Sequence, residues 1–208
     1  MTELAPLCVV LNGPSAVGKS TLAAAIQDHS VAPLLRFGVD EFYRMVPDQW
    51  AGGVKGARFA DRGFTYQEVT SIPGARRINN GVDAISLLHA MNAAILGVLT
   101  AGVGVVVDGQ AFEPSVNQDL ENRLRKLQAR GLASVAIIEL AANDDSLADR
   151  QRRHAHPVGL SLHQNILPRQ ASTPDLVLDT TGLTADEVAD HVCGWLDQTH
   201  AVSQHSPG

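Results

Sequence analysis

The stretch LCVVLNGPSAVGKSTLAAAI, residues 7–26, decides the fold of this chain. It begins with the short apolar run Leu7–Leu11, which contains β-branched residues and reads as a buried strand of a parallel sheet. Gly13–Ser20 then matches the pattern G-x-x-x-x-G-K-S without a mismatch, and a helix is predicted for Ser20–His29. This order of strand, glycine-rich loop and helix is typical of proteins in which the loop binds the phosphates of a nucleotide. The alternative is a glycine-rich turn that matches the pattern by chance, but such a turn would not need a strand before it and a helix after it.

Each residue type in this loop has a chemical reason. Glycines let successive backbone N–H groups point inward at phosphate oxygens, and the following helix adds its positive N-terminal end. Lys19 is expected to reach the outer phosphates and to act in catalysis, and Ser20 to offer its hydroxyl to Mg²⁺. The predicted nucleotide-binding residues of the loop are Gly13, Pro14, Ser15, Ala16, Val17, Gly18, Lys19, Ser20 and Thr21.

Apolar strands and amphipathic helices alternate along the rest of the chain. Further strands are predicted at Leu34–Val39, Val103–Val107, Val135–Leu140 and Leu176–Leu178. Further helices are predicted at Ala84–Ala101, from Pro114 to a stop at Gly131, from a cap at Asn143 or Asp144 to about Arg153, and after a Thr184/Glu187 capping box. Residues 48–82 have poor periodicity and are expected to be irregular, with one short helix at most. The alternation predicts an α/β fold with three layers, a parallel sheet between two layers of helices.

Size and composition limit the class of protein. The chain has 208 residues, of which 45% are hydrophobic and 18% charged, as expected for one ordered domain, here placed at residues 1–200 with a frayed tail at 201–208. A net charge of −6 argues against a nucleic-acid partner. Cys8 and Cys193 are interpreted as core residues in a reducing compartment. With no signal peptide and no apolar stretch of ~18–20 residues, a cytoplasmic location without membrane contact is expected.

Two aspartates follow predicted strands, at the end of the sheet where ligands of such folds bind. Asp108 is predicted to hold Mg²⁺ with Ser20; the alternative is that it caps the turn at Gly109. Asp40 is predicted to accept the proton of an attacking hydroxyl, as a general base, although it could also cap a helix; Glu41 is the reserve candidate.

Arginines supply the predicted lid and part of the predicted acceptor site. The basic run at residues 150–154 precedes Pro157 and Gly159, so residues 150–163 are interpreted as a lid in which Arg150 and Arg153 neutralise charge during transfer. The alternative is a basic helix end that favours the helix dipole. The acceptor segment is placed at residues 41–82, and its arginines hold an acceptor or solvate loops. The residues predicted to contact the acceptor are Asp40, Phe42, Arg58, Arg76 and Gln110. The histidines of the lid, His154, His156 and His163, are expected to be surface residues rather than metal ligands.

The chain resembles the chloramphenicol phosphotransferase group of P-loop kinases, within the wider shikimate-kinase and adenylate-kinase class. The resemblance is carried by Asn12–Ser20, by Phe37-Gly38-Val39-Asp40 and by Val105–Asp108. The arginine-rich lid before Gly159 and the Asp179-Thr180-Thr181 turn extend it over nearly the whole chain.

The resemblance implies a P-loop NTPase fold with five parallel strands in the order 2-3-1-4-5. It implies transfer of phosphate from ATP, with Mg²⁺, to an antibiotic hydroxyl, with Asp40 as base, Arg150 at the start of the lid and Thr181 in a turn beside the adenine. The acceptor stays open between chloramphenicol and a nucleoside antibiotic such as capuramycin. Two other functions stay open as well: a kinase of shikimate, gluconate or a nucleoside, and a nucleotide-binding regulator without transfer chemistry. The apolar Ala84–Ala101 helix also leaves room for a homo-oligomer.

Overall fold

The computed structural model of the chain describes residues 5–52, 58–59, 61–153, 159–167 and 173–200. Its strands are β1 (Leu7–Asn12), β2 (Leu34–Gly38), β3 (Ala51–Gly52), β4 (Phe64–Glu68), β5 (Arg76–Asn80), β6 (Gly104–Asp108), β7 (Ser134–Ala141) and β8 (Leu176–Asp179). Its helices are α1 (Lys19–His29), α2 (Val39–Met45), α3 (Val82–Thr100), α4 (Pro114–Ala129), α5 (Asp144–Arg153), α6 (Leu160–Gln164) and α7 (Ala185–His200).

Five strands form a parallel sheet in the order β2-β6-β1-β7-β8. Counted within this sheet alone, the order is 2-3-1-4-5, as the resemblance implied. The register places Leu11 of β1 beside Asp108 of β6, and Gly38 of β2 beside the same aspartate. The carboxyl ends of the three strands therefore lie together, and the residues that follow them share one edge of the sheet.

The core has two halves, one on each face of this sheet. Val9 and Leu11 point to the face covered by α1, α5 and α7, where Ile26, Leu147 and Leu196 pack. Residues of opposite parity on the same strand point to the face covered by α3 and α4. Both cysteines are free and buried within these two clusters, as predicted. The three-layer α/β fold expected from the sequence is confirmed.

The predicted strands and long helices are confirmed, with ends that differ by one or two residues. Two caps are confirmed as well. The backbone N–H of Ser146 donates to Asn143 Oδ1 at 2.8 Å, and Thr184 and Glu187 exchange backbone-to-side-chain hydrogen bonds in a capping box.

The expectation of irregular structure over residues 48–82 is wrong. This region contains a second sheet in which β4 and β5 form an antiparallel hairpin and β3 runs parallel to β4. Glycine makes this packing possible, because a Cβ on Gly63 would lie 2.0 Å from the carbonyl oxygen of Trp50 and one on Gly81 2.3 Å from that of Asp61. The hairpin lies mostly at the surface, with burial concentrated on Phe64. The period-two alternation that identifies a half-buried strand is therefore absent from its sequence.

Helix α3 is longer and more apolar than the sequence interpretation assumed. By length and composition it could cross a membrane, since its 19 residues include a window with a mean hydropathy of 1.7. The expectation that no segment of the chain is long and apolar enough for a membrane helix is therefore wrong. A core helix passes the same test. Met91, Ile95 and Leu99 of α3 pack on the sheet, as in a core helix.

Candidate active site

The loop after β1 has the backbone that the glycine pattern predicts. Gly13 has φ +132°, and a Cβ there would lie 2.4 Å from the carbonyl oxygen of Leu140. Gly18 has φ +108° and occupies the N-cap of α1. Only glycine adopts such conformations without strain, so both glycines are required by the path of the loop.

Lys19 folds back over this loop. Its Nζ donates to the carbonyl oxygens of Gly13 and Pro14, both at 2.8 Å. Burial lowers the pKa of Lys19, while the nearby carboxylates of Asp108, Asp40 and Glu139 act in the opposite direction. The lysine is accommodated by Gly109, φ +78°, since a Cβ there would lie 2.9 Å from Lys19 Cε. The ammonium group thus lies at the point where β1, β2 and β6 end.

Asp108 is held by a residue that the sequence interpretation did not single out. Its carboxylate accepts from Arg36 of β2, at 3.0 Å from Nε, and also pairs with a second guanidinium nitrogen of Arg36. The alternative role of Asp108 as a cap is not what the structure shows, because the N–H of Gly109 donates to the carbonyl oxygens of Leu11 and Val107. Asp108 is only 6% exposed and lines the same cleft as Ser20.

A large cleft of about 1120 Å³ opens above this end of the sheet. The phosphate loop forms its floor. One end is lined by residues that begin α7, among them Leu183, Thr184 and Val188. The opposite end is lined by α2, β5 and the start of α4. Of the predicted acceptor contacts, Asp40 and Gln110 lie in this cleft.

We call the α2, β5 and α4 side of the cleft the acceptor wall. It comprises Asp40, Tyr43, Tyr66, Asn80, Glu113 and Asn117. Burial, and then the carboxylates of Asp40 and Glu113, raise the pKa of Tyr43. The pKa of Tyr66 is raised by burial and by Asp40. Two carboxylates and two phenols therefore lie near one another on this wall.

Both arginines predicted to form the lid line the cleft and also bind groups of the protein. Arg150 donates to the carbonyl oxygen of Val17 at 3.1 Å, and to the hydroxyl and carbonyl oxygens of Thr180 at 2.9 and 2.7 Å. It thereby joins the phosphate loop to the turn after β8. Arg153 lines the cleft but pairs with Asp149, four residues earlier in α5.

Helix α6 bridges the phosphate loop and the hairpin. At its C-terminal end, Gln164 Oε1 accepts a hydrogen bond of 2.7 Å from the backbone N–H of Ser15. At its N-terminal end, the carbonyl of Gly159 accepts from the N–H of Arg76 at 2.9 Å. His163, expected at the surface, lies in the cleft, and its pKa is lowered by burial and by the charge of Arg77. His154 and His156 lie outside the described residues, and the described part of the chain contains no group of three or more metal-binding side chains.

Besides Gly13 and Pro14 of the phosphate loop, four residues predicted for the site do not line the cleft. Phe42 packs on the core beside α3, and Arg58 lies over the ring of Phe59. Arg76 is exposed on β5, while its neighbour Arg77 lines the cleft. Thr181 uses its hydroxyl to accept from the backbone N–H of Asn143, which ties the turn after β8 to the start of α5.

Sequence reasoning missed most of the acceptor wall and all of α6. These residues carry no local motif, since their placement depends on a surface hairpin and on the start of α4. One signal was available: Glu113 precedes Pro114, the predicted first turn of a helix that follows a strand, which places it at the ligand-binding edge of the sheet.

The phosphate loop, the strand order and the cleft are together typical of P-loop kinases and phosphotransferases. The chain belongs to the chloramphenicol phosphotransferase-like family, whose model matches residues 7–196.

Individual relatives are more distant. A nucleotide-binding protein of Renibacterium salmoninarum is 32% identical over 112 residues, which are 48% of this chain and 35% of the relative. The chain thus spans about a third of the length of the curated relative that it matches.

Solved structures confirm the fold. A sugar kinase from Janibacter sp. HTCC2649 superposes with a TM-score of 0.60 at 19% identity, covering 96% of this chain and 99% of the kinase. The tunicamycin resistance protein of Deinococcus radiodurans superposes with a TM-score of 0.54 at 19% identity, covering 92% of this chain and 95% of that protein.

Proposed function

We propose that this protein transfers the terminal phosphate of ATP to a hydroxyl of a small, uncharged antibiotic, as a self-resistance phosphotransferase. The observation that carries the proposal is the position of Asp40. This carboxylate lies at the start of α2, near Lys19 of the phosphate loop and beside the tyrosines of the acceptor wall.

The phosphate loop fits the triphosphate of a nucleotide. Gly13 gives the loop a backbone path that leaves room beside Leu140 of β7, and Lys19 brings a positive charge to the end of the sheet. The hydroxyl of Ser20 and the carboxylate of Asp108 lie in the same cleft. Both could bind a metal ion through oxygen, and oxygen ligands are those that Mg²⁺ prefers. When bound, Mg²⁺ would neutralise charge on the phosphates.

Asp40 is the residue proposed to act on the acceptor. Its carboxylate takes the proton of the acceptor hydroxyl as that oxygen forms a bond to the γ-phosphorus. The bond between the γ-phosphorus and the oxygen of the leaving ADP breaks in the same in-line transfer. Asp40 is exposed to the cleft and takes part in no salt bridge among the described residues, so its oxygens are available to a substrate. A regulator that only binds a nucleotide would not need a carboxylate at this position.

The acceptor wall supports an uncharged acceptor over a carboxylate such as shikimate or gluconate. Recognition of an anion ordinarily uses free arginines. Here Arg44 pairs with Glu41 at 3.3 Å and Arg77 donates to Gln67 at 3.0 Å, whereas Asp40 and Glu113 carry no salt-bridge partner within the described ranges. A nucleoside or an uncharged sugar remains the second candidate, in keeping with the sugar kinase whose fold this chain shares. The tunicamycin resistance protein with the same fold favours an antibiotic.

A screen of ADP release tests this function. The purified protein is incubated with ATP, Mg²⁺ and single members of a panel of hydroxylated antibiotics, nucleosides, sugars, shikimate and gluconate, and the product is weighed for one added phosphate. Transfer to an uncharged antibiotic at micromolar concentration is the expected result. Faster transfer to a primary metabolite would favour the second candidate, and no acceptor-dependent ADP release would reject transfer chemistry.

A further inference from the structure

Glu113 is a second carboxylate of the cleft that the proposed transfer does not use. It lies at the N-cap of α4, half-buried, on the acceptor wall. Its Oε1 accepts a hydrogen bond of 2.7 Å from Asn80 Nδ2, and within the described residues no arginine, lysine or histidine pairs with it. Besides burial, the carboxylates of Asp40 and Glu113 both raise the pKa of Tyr43, so both lie near this phenol.

A buried amide one turn further along α4 is a second observation in favour of a ligand site beside Glu113. Asn117 is only 3% exposed and lines the cleft, and its Oδ1 has no hydrogen-bond partner in the part of the chain that the structure describes. A buried amide oxygen without a partner costs about 1–3 kcal/mol, so such groups ordinarily have one when the protein is at work. Its backbone N–H donates to the carbonyl oxygen of Glu113 at 3.0 Å, which fixes the two residues relative to each other.

The oxygens of Glu113 and Asn117 that face this site are hydrogen-bond acceptors. An ionised carboxylate only accepts hydrogen bonds, and the partner missing from the Asn117 oxygen is also a donor. Asn80 supplies one donor to Glu113 and, among the described residues, leaves its own Oδ1 buried without a partner. The unpartnered amide oxygens of Asn80 and Asn117 therefore lie near an acidic side chain, and an anionic ligand group would be repelled here.

We propose that Glu113, with Asn117, forms a subsite for a second hydrogen-bond donor of the acceptor, a hydroxyl, an amide N–H or an ammonium group, separate from the hydroxyl that faces Asp40. The inference rests on the proposed function and deepens it. It defines the acceptor as an uncharged or cationic molecule with two donor groups, one for each carboxylate, and it makes Glu113 a specificity-determining residue.

A cycle that changes protein and ligand together tests the subsite. The ligands are uridine and 2′,3′-dideoxyuridine, and chloramphenicol and its analogue without the C1 hydroxyl. The proteins are wild type, Glu113→Gln and the control Glu68→Gln, which changes an exposed glutamate at the end of β4, away from the cleft lining. Binding is measured by titration calorimetry with the nucleotide analogue AMPPNP, and transfer by ADP release.

The expected result is a preference of the wild type for at least one full compound over its deoxy partner by about 10–100-fold, the range for hydrogen bonds to a charged group. Glu113→Gln should remove most of that preference, whereas Glu68→Gln should keep it. The affinity for AMPPNP alone should stay within about twofold in both variants, because neither side chain belongs to the phosphate loop.

Three outcomes overturn the subsite: an equal effect of Glu113→Gln on full and deoxy compounds, tighter binding of shikimate or gluconate than of any uncharged compound, and failure of every uncharged compound to bind. Failure of the proposed function is a different result. In that case the coupling between Glu113 and the second donor appears in calorimetry, but no phosphate is transferred.

Discussion

The backbone N–H of Ser15 donates a hydrogen bond of 2.7 Å to Oε1 of Gln164, a side chain from the far side of the cleft. Loop N–H groups of this kind are those that face phosphate oxygens in a nucleotide complex. The amide oxygen of Gln164 therefore occupies an acceptor position that a phosphate would take.

Gln164→Ala is expected to tighten nucleotide binding, because the nucleotide no longer competes with the side chain. One neutral hydrogen bond contributes about 0.5–1.5 kcal/mol, so the Kd for ATP should fall by about 2–10-fold in calorimetry. Asn165→Ala is the control, since this neighbour donates to Asp144 and not to the loop. Weaker ATP binding in the Gln164 variant would mean that Gln164 contacts the nucleotide instead.

Lys19→Ala should weaken ATP binding. The lysine provides the positive charge of the loop, and a charge-assisted hydrogen bond contributes about 1.5–3 kcal/mol, so the Kd should rise by about 10–100-fold. Lys126→Ala removes an exposed lysine of α4 and should leave the Kd unchanged. Equal affinities for wild type and Lys19→Ala would reject the assignment of the loop.

Asp40→Asn should lower kcat by about 10²–10⁴-fold, the usual contribution of a general base, with the Kd for ATP nearly unchanged. The control is Asp48→Asn, an exposed aspartate beyond the end of α2. The measurement is steady-state ADP release with the acceptor found in the screen. A loss of less than about tenfold would show that Asp40 is not the base.

Gly159→Ala should destabilise the fold more than Gly131→Ala. Both glycines have positive φ, +91° and +66°, and an added Cβ costs about 1–2 kcal/mol in that conformation. At Gly131 the Cβ meets nothing within 4 Å, whereas at Gly159 it would lie 2.0 Å from the carbonyl oxygen of Gly74. Urea unfolding measures the difference, and equal losses of unfolding free energy would contradict the close packing of α6 on the hairpin.

The pKa of His163 should depend on the charge of Arg77. Burial and this arginine lower the pKa of His163 from its ordinary value of 6.5, so near that pH the unfolded chain binds more protons than the folded one. The contribution of His163 to stability therefore falls as the pH drops through this range. Arg77→Gln should raise the pKa in an NMR titration of the imidazole, whereas Arg76→Gln should leave it in place. An unchanged pKa of His163 in Arg77→Gln would show that Arg77 does not influence this histidine.

Local patterns were enough to predict the main sheet and the phosphate loop. Leu7–Leu11 and Val103–Val107 are buried on both faces and hence apolar almost throughout, and Gly13 and Gly18 are required by the backbone itself. The positions of Asp40 and Asp108 followed from the strands that precede them.

The acceptor side could not be predicted in the same way. The hairpin has few buried side chains, and α6 has only five residues, so neither carries a periodic signal. The arginines show the limit most clearly, since composition cannot tell that Arg150 braces the loop or that Arg77, not Arg76, faces the cleft. Those distinctions depend on contacts between residues far apart in the chain.

The small sheet between α2 and α3 has its own hydrogen bonds and shares no strand with the parallel sheet. Because the two sheets are separate, insertions and exchanges in the small sheet are expected to leave the strands of the main sheet in place. Paralogues could thus acquire new acceptors through recombination of one continuous gene segment, provided that the donated segment keeps the backbone path at position 74 and a backbone N–H at position 76 for the contacts with Gly159.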